Sequence, residues 1–507
     1  MTAHWRRRTR AASRRLFEQA RHPTRRVAVL ALLAGITVVA VGLDLAGSVA
    51  APRPITHRAT GPTVPGPDTV SATWYCAEGS ASSGGRADET IWIANNGDAD
   101  AEAVVTVMPG GDIEPTSRRV TVPKRGQLRV PASSVLQAVE QPDQAGMLVG
   151  PGVVVEVFGG GTFVEHEIDG QSDVALGPCA REPGRAWYFA AGTTERGAEQ
   201  NLALFNPFAD DAILDLLFAT DAGFLAPADL QSLVVPRRSR VTVPVANFVR
   251  RQAQVGVHVR VRTGRVVAEQ SLVFTPENEA RRGLTLSLGA PLPAQSWMLP
   301  GVLSGDGAAN GVYVANFDSA AAEIEIDPRF EDGNTAAPSK VAMPGRSATT
   351  VDLGPFAGSG VAFAVEVRAT RSVAIVAERL GAWGQPSGAT GSATALGSAD
   401  PARDWVFALG RPATDDAAAV SVFNPNRSET RIRLFAYQSN SDQPATEREL
   451  MVAAHKQGTF DLREMNVAPD QMIVVRADAP VVAARRILGA TGASLAPGVP
   501  DPHAPAR

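Results

Sequence analysis

The chain has 507 residues, 44% of them hydrophobic and 20% charged, with a formal net charge of −4; this describes an ordinary globular chain of roughly three or four domains. The charge is uneven. Residues 1–50 hold nine Arg against Glu18 and Asp44, a balance of +7, which leaves −11 on residues 51–507. An acidic body offers no field that attracts polyanions, so nucleic acid is excluded as a partner.

Residues 1–26 read as a basic cytoplasmic segment, and 27–43 as an uncharged apolar run. Seventeen residues lie at the short end of what spans a bilayer, roughly 17–25, and exceed a secretory apolar region of about 7–15. The run therefore reads as a transmembrane helix, or as a signal segment that is cut after Ser48-Val49-Ala50. Positive charge on its N-terminal side sends the body out of the cytoplasm. Residues 44–72 form a Pro-rich linker, read as an extended stalk.

The rest of the chain repeats one plan four times. Its opening marks are Trp74, Trp187, Trp297 and Trp405, spaced by 113, 110 and 108 residues. An Asn follows at Asn95, Asn206, Asn316 and Asn424, at offsets of 21, 19, 19 and 19. An apolar-Pro-basic turn comes next at Pro123, Pro236 and Pro344, with Ala454-His455-Lys456 in the fourth copy. A period near 110 residues describes a string of whole domains rather than a solenoid. Alternating apolar runs predict strands over 102–108, 153–158, 255–261, 361–367, 431–435 and 472–475. Short helical turns are expected near 133–139, 246–252 and 462–466. The predicted fold is all-β: four tandem immunoglobulin-like β-sandwich repeats at 73–183, 184–295, 296–402 and 403–490. The Gly/Ser/Ala-rich stretch 384–402 reads as a loop, and 491–507 as a disordered tail. The spacing does not choose between a rod and a closed ring.

Cys76 and Cys179 fall near the two ends of repeat 1 and are expected to form a disulfide, which suits an oxidising compartment. Each recurrent Asn stands where a strand gives way to Pro or Gly, so it reads as an Asx-turn rather than as a ligand for sugar or calcium.

Candidate chemistry is sparse. The sequence has no nucleophile elbow, no phosphate loop and no pair of His within a repeat, so no catalytic, cofactor-binding or metal-ligating residue is assigned. Glu269 and Glu378 recur at one strand position, which reads as a solvated strand face. His166 is read at the same position in the first copy and Ala484 in the fourth. Trp383 and Tyr437 are the available aromatic platforms for a glycan.

The basic flank, the single apolar span, the Pro-rich segment and the marks Trp187, Asn206-Pro207, Val235-Pro236 with Ser239 and Val266-Val267-Ala268-Glu269 together resemble a known family. It is an uncharacterised family of secreted or membrane-anchored proteins from high-GC Gram-positive bacteria. The resemblance covers most of residues 70–490 and implies a cell-envelope setting without an activity. The function expected is that of a non-enzymatic, extracytoplasmic envelope scaffold for protein–protein interaction. Its partner would be an envelope protein, and its tie to the membrane the N-terminal helix. A wall-glycan-binding protein and an envelope hydrolase are the alternatives.

Overall fold

The computed structural model describes residues 61–502, apart from 83–86, 112, 139, 143–146, 171–172, 279, 306, 357, 359, 371–372, 385–388, 409–415 and 491. The segments read as cytoplasmic and membrane-spanning, 1–26 and 27–43, lie outside the described residues, as does the linker up to residue 60. No helix among the described residues is long and apolar enough to cross a membrane.

The chain folds as four antiparallel β-sandwiches, each made of two sheets. One sheet opens with the Trp strand and the other carries the Asn strand. In repeat 1 the Trp sheet runs Ser71–Cys76, Gly152–Phe158, Ala101–Met108, Thr116–Val122, and the Asn sheet runs Val174–Pro178, Thr162–Asp169, Asp88–Asn95, Gly126–Pro131. Repeat 3 has the same order: Ser296–Leu303, Ala362–Thr370, Ala322–Phe330 and Ser339–Met343 face Gly391–Leu396, Val376–Trp383, Ala308–Asn316 and Ser347–Asp352. Repeat 2 follows it too, with Leu148–Gly150 of repeat 1 added beside Ser239–Pro244. In repeat 4 one long strand, Met472–Leu488, serves both sheets. The expected helical turns reduce to single 3-10 turns such as Ala132–Ser134 and Val245–Asn247.

The marks explain why each copy closes. Trp74, Trp187, Trp297 and Trp405 are all buried. Three of them donate their indole N–H to the carbonyl just before the segment that pairs with the Asn strand: Trp187 to Val266 O at 2.7 Å, Trp297 to Ile375 O at 2.8 Å and Trp405 to Val481 O at 3.0 Å. Each Asn does two jobs. Its Oδ1 accepts from the N–H two residues on, at 2.8 Å for Asn95, 3.1 Å for Asn206, and 3.0 Å for Asn316 and Asn424. Its Nδ2 donates to the carbonyl four residues on and also crosses to the other sheet, at Val122 O, Val235 O, Pro344 O and Val452 O. The Asx-turn reading covers the first job. The second, clipping one sheet to the other, is a structural finding. The basic turn holds a residue at positive φ in every copy, at Arg125, Arg238, Arg346 and His455 (φ 50°, 49°, 55° and 55°). That register makes Ala453, not Ala454, the counterpart of Pro236, since Asn424 Nδ2 bonds Ala453 O as Asn206 Nδ2 bonds Pro236 O.

The repeats form a closed ring. Val174–Pro178, Gly283–Leu288, Gly391–Leu396 and Ala493–Pro497 each touch the corresponding strand on either side, the fourth returning to the first. The Trp sheet of each repeat packs on the Asn sheet of the next, a head-to-tail contact that closes after four copies. Val406, Phe435, Met472 and Val474 of repeat 4 share a core with Ile91, Val105 and Val155 of repeat 1. Ala190 and Leu272 of repeat 2 likewise join the core of repeat 3.

Two readings are corrected here. Within 384–402, read as a loop, residues 391–396 form an axial strand, and within 491–507, read as a disordered tail, Ala493–Pro497 forms another and Val499–Pro500 pairs with the Trp405 strand. Their small residues suit a place where four strands crowd together. The described part of the linker also packs on the sandwiches: Val64 is buried and donates its N–H to Pro500 O at 2.9 Å, and Gly161 N–H reaches Pro65 O at 3.0 Å.

Candidate functional site

A large group of buried ionisable side chains lies where one repeat meets the next. The Asn sheet is apolar toward its own core, but its second face is covered by the preceding repeat. Polar side chains on that face are therefore buried and need partners. Glu269 and Glu378, expected on a solvated strand face, are fully buried, which corrects that reading.

At the junction of repeats 1 and 2, Glu269 Oε2 accepts the N–H groups of Ala77 at 2.9 Å and Glu78 at 2.7 Å, just beyond the Trp74 strand. His166 lies between two carboxylates, its Nε2 3.4 Å from Glu269 Oε2 and its Nδ1 3.0 Å from Glu89 Oε1. Arg240, also fully buried, reaches Ala77 O at 3.2 Å, Glu78 Oε1 at 3.4 Å, and Glu140. Ser271 Oγ donates to Glu78 Oε2 at 3.0 Å. Burial opposes a charge on His166, yet Glu269 and Glu89 outweigh it and raise its pKa to about 9. Burial raises Glu269 to about 7 against the pull of His166 and the two backbone N–H groups. The disulfide closes the same corner: Cys76 and Cys179 are bonded, as expected, and His166 sits beside them, the three ligand atoms lying within 4.8 Å of one another. The bond occupies both thiols.

The junction of repeats 2 and 3 repeats the device. Glu378 Oε2 accepts from Ala190 N–H at 2.8 Å and Ala191 N–H at 2.6 Å, and burial raises this carboxyl to about 7. At the closing junction Glu165 accepts from Arg485 Nη2 of repeat 4 at 2.9 Å. The strand register makes Glu165, not His166, the counterpart of Glu269 and Glu378. It pairs with Pro178 as Glu269 pairs with Leu288, Glu378 with Leu396 and Ala484 with Pro497. The expectation that His166 holds this position is therefore off by one residue. The available signal was the run Thr162-Phe163-Val164-Glu165, which ends on Glu as Val266-Val267-Ala268-Glu269 does.

At the axis the position five residues before those partners is Gly283, Gly391, Gly492 and, in repeat 1, Asp173. Its carboxylate accepts from Leu284 N–H and Val174 N–H, both at 2.9 Å, and from Ala493 N–H, so it ties three repeats together. A Cβ on Gly283 would lie 1.5 Å from Asp173 Oδ2, and one on Gly492 2.1 Å from Oδ1, so glycine is required opposite it. Burial lifts Asp173 to about 7. Trp383 and Tyr437, the candidate glycan platforms, are both buried.

Residues 171–377 and 282–497 each match a family described as DUF5719, a family of unknown function; the two matches are offset by one repeat and together span most of the chain. No curated protein matches the sequence. Solved structures with local similarity include Thermotoga maritima 1070 (15% identity, 21% of this chain and 93% of that chain, TM-score 0.19) and the Anabaena sensory rhodopsin transducer (18% identity, 17% and 80%, TM-score 0.16). A tetra-tandem repeat from the extending region of a large adhesion protein covers 85% of this chain and 99% of that one at 11% identity and a TM-score of 0.11. At these scores none carries an argument about this chain.

Proposed function

Because the chain belongs to the DUF5719 family, a family of unknown function, its role has to come from its own geometry, and we propose that it is a non-enzymatic, membrane-anchored scaffold of the cell envelope, of the secreted or anchored kind found in high-GC Gram-positive bacteria. The observation that carries this reading is how the buried acids are spent. Glu165, Glu269, Glu378 and Asp173 hold one repeat to another: Oε2 of each glutamate and the carboxylate of Asp173 meet backbone N–H groups or an arginine of a neighbouring repeat. Such a ring is a rigid mount, with its loops and strand edges left for a partner. The disulfide suits an oxidising compartment, and the apolar run 27–43 supplies the anchor. A protein partner is favoured over a wall glycan because Trp383 and Tyr437 are buried.

The free edges of the Trp sheets in repeats 1 and 4, Thr116–Val122 and Thr446–Val452, are the surfaces to probe. A photo-crosslinker placed at Arg119 or Met451 in intact cells should trap a discrete envelope protein, identified by mass spectrometry. Saturable binding of wall-polysaccharide fragments with no protein adduct would contradict the proposal. Protease added to wall-stripped cells should digest the chain after residue 50 and spare an epitope at 1–20; a protected C-terminal tag would contradict the orientation.

A further inference from the structure

At the junction of repeats 3 and 4 the strand position held by Glu165, Glu269 and Glu378 at the other three is Ala484. Arg379 and Arg485 hold the same place in their repeats, one residue after the position of Glu378 and Ala484. Arg485 meets Glu165 of the following repeat at 2.9 Å. For Arg379 the residue in that place is Ala484. Arg379 is nevertheless fully buried, its Nη1 has no hydrogen-bond partner, and the charge acting on it is that of a second cation, Arg486.

The neighbouring groups converge on one point. Arg486 Nη1 donates to Gly301 O at 3.0 Å. A Cβ on Gly301 would lie 3.3 Å from Ser421 Oγ and 3.9 Å from Arg379 Nη1. Ser421 is the ladder partner of Ala484. Two guanidinium groups and a hydroxyl thus surround Gly301, at the irregularity in the strand Ser296–Leu303. Ala484 is half-buried, whereas Glu165, Glu269 and Glu378 at the same position are fully buried, so this corner is less completely closed to solvent.

We propose that this junction binds a small carboxylate anion, held by Arg379, Arg486 and Ser421 in front of Ala484, where the other junctions use a carboxylate of the chain itself. A guanidinium presents two parallel N–H groups that match a carboxylate, and an uncompensated buried cation is costly. Arg486 already feels Asp461 and Glu331, so the uncompensated charge is that of Arg379, which calls for one monovalent anion. Burial and Arg486 lower the Arg379 pKa to about 9, the direction expected for a cation without a counter-charge.

The test is the melting temperature of the full chain as sodium formate or acetate replaces sodium chloride at constant ionic strength. A saturable rise of about 2–4 °C is expected at 100-fold excess over Kd. Ala484→Glu supplies the carboxylate within the chain, so it should melt higher without added anion and lose the response. Arg379→Met should lose the response while still melting cooperatively, which keeps the test valid if Ala484→Glu does not fold. A flat profile for the natural sequence, or a response that survives in Arg379→Met, would overturn the proposal.

Discussion

The first and third junctions of the ring join equivalent surfaces with different chemistry. Between repeats 1 and 2, the Trp74 strand ends in two buried N–H donors, Ala77 and Glu78, and both go to the carboxylate of Glu269. Between repeats 3 and 4, the matching residues are Pro300 and Gly301. Proline has no N–H, and the single remaining donor goes to Gln457 Oε1 at 2.8 Å. The loss of Glu at Ala484 thus accompanies the loss of a donor. The comparison teaches that orphan backbone donors set the number of acceptors a buried junction must supply. Charge follows from that choice: the first junction needs His166 and Arg240 to balance its acids, and the third leaves Arg379 without one.

The largest effect should come from breaking the first junction. Glu269→Ala leaves two buried N–H groups without their acceptor and His166 without one of its two neighbouring carboxylates, and removing one partner of a buried pair typically costs about 3–5 kcal/mol. Urea unfolding of the full chain should show that loss as a lower midpoint. A change within error would mean that water replaces the carboxylate. Gln457→Ala, at the third junction, orphans one donor and should cost only about 1–3 kcal/mol. If it cost as much as Glu269→Ala, donor counting would not explain the difference.

A smaller effect, graded with pH, sharpens the contrast. Burial raises Glu269, Glu378 and Asp173 to about 7 from ordinary values of 4.5, 4.5 and 3.8. A carboxyl raised on folding holds its proton more tightly in the native chain. The stability it contributes is full below its unfolded pKa and is lost as pH rises through 7, at about 1.4 kcal/mol per pH unit for each titrating group. His166, raised to about 9 from 6.5, adds a loss between those values. The melting temperature should therefore fall from pH 5 to 8 rather than rise. Glu378→Gln should flatten part of that fall. A melting temperature that climbs over this range would refute the assignment of buried acids.

The sandwich was legible in the sequence because its marks act within one repeat. Trp187, Asn206 and Pro236 stand at fixed spacing since each bonds or packs across its own pair of sheets. The ring was not legible, because closure depends on the rotation between copies, which no residue spacing encodes. The same gap explains Glu269 and Glu378. A polar residue alternating with apolar ones reads as solvent-facing, and only the packing of the preceding repeat turns that face into an interior. Ala493–Pro497 was missed for a related reason: a run of small residues looks like a tail until three other strands crowd against it.

Closure of the ring is the central claim, and the contact between repeats 1 and 4 tests it most directly. Lys124 Nζ lies 2.8 Å from Asp442 Oδ1, on exposed loops separated by nearly the whole length of the repeat array. A zero-length carbodiimide should join the Lys124 amine to the Asp442 carboxylate as an amide within the monomer, seen as a linked peptide by mass spectrometry. In an open rod these loops would stand at opposite ends. A Lys124–Asp442 crosslink that is absent, or found only between chains, would contradict the ring.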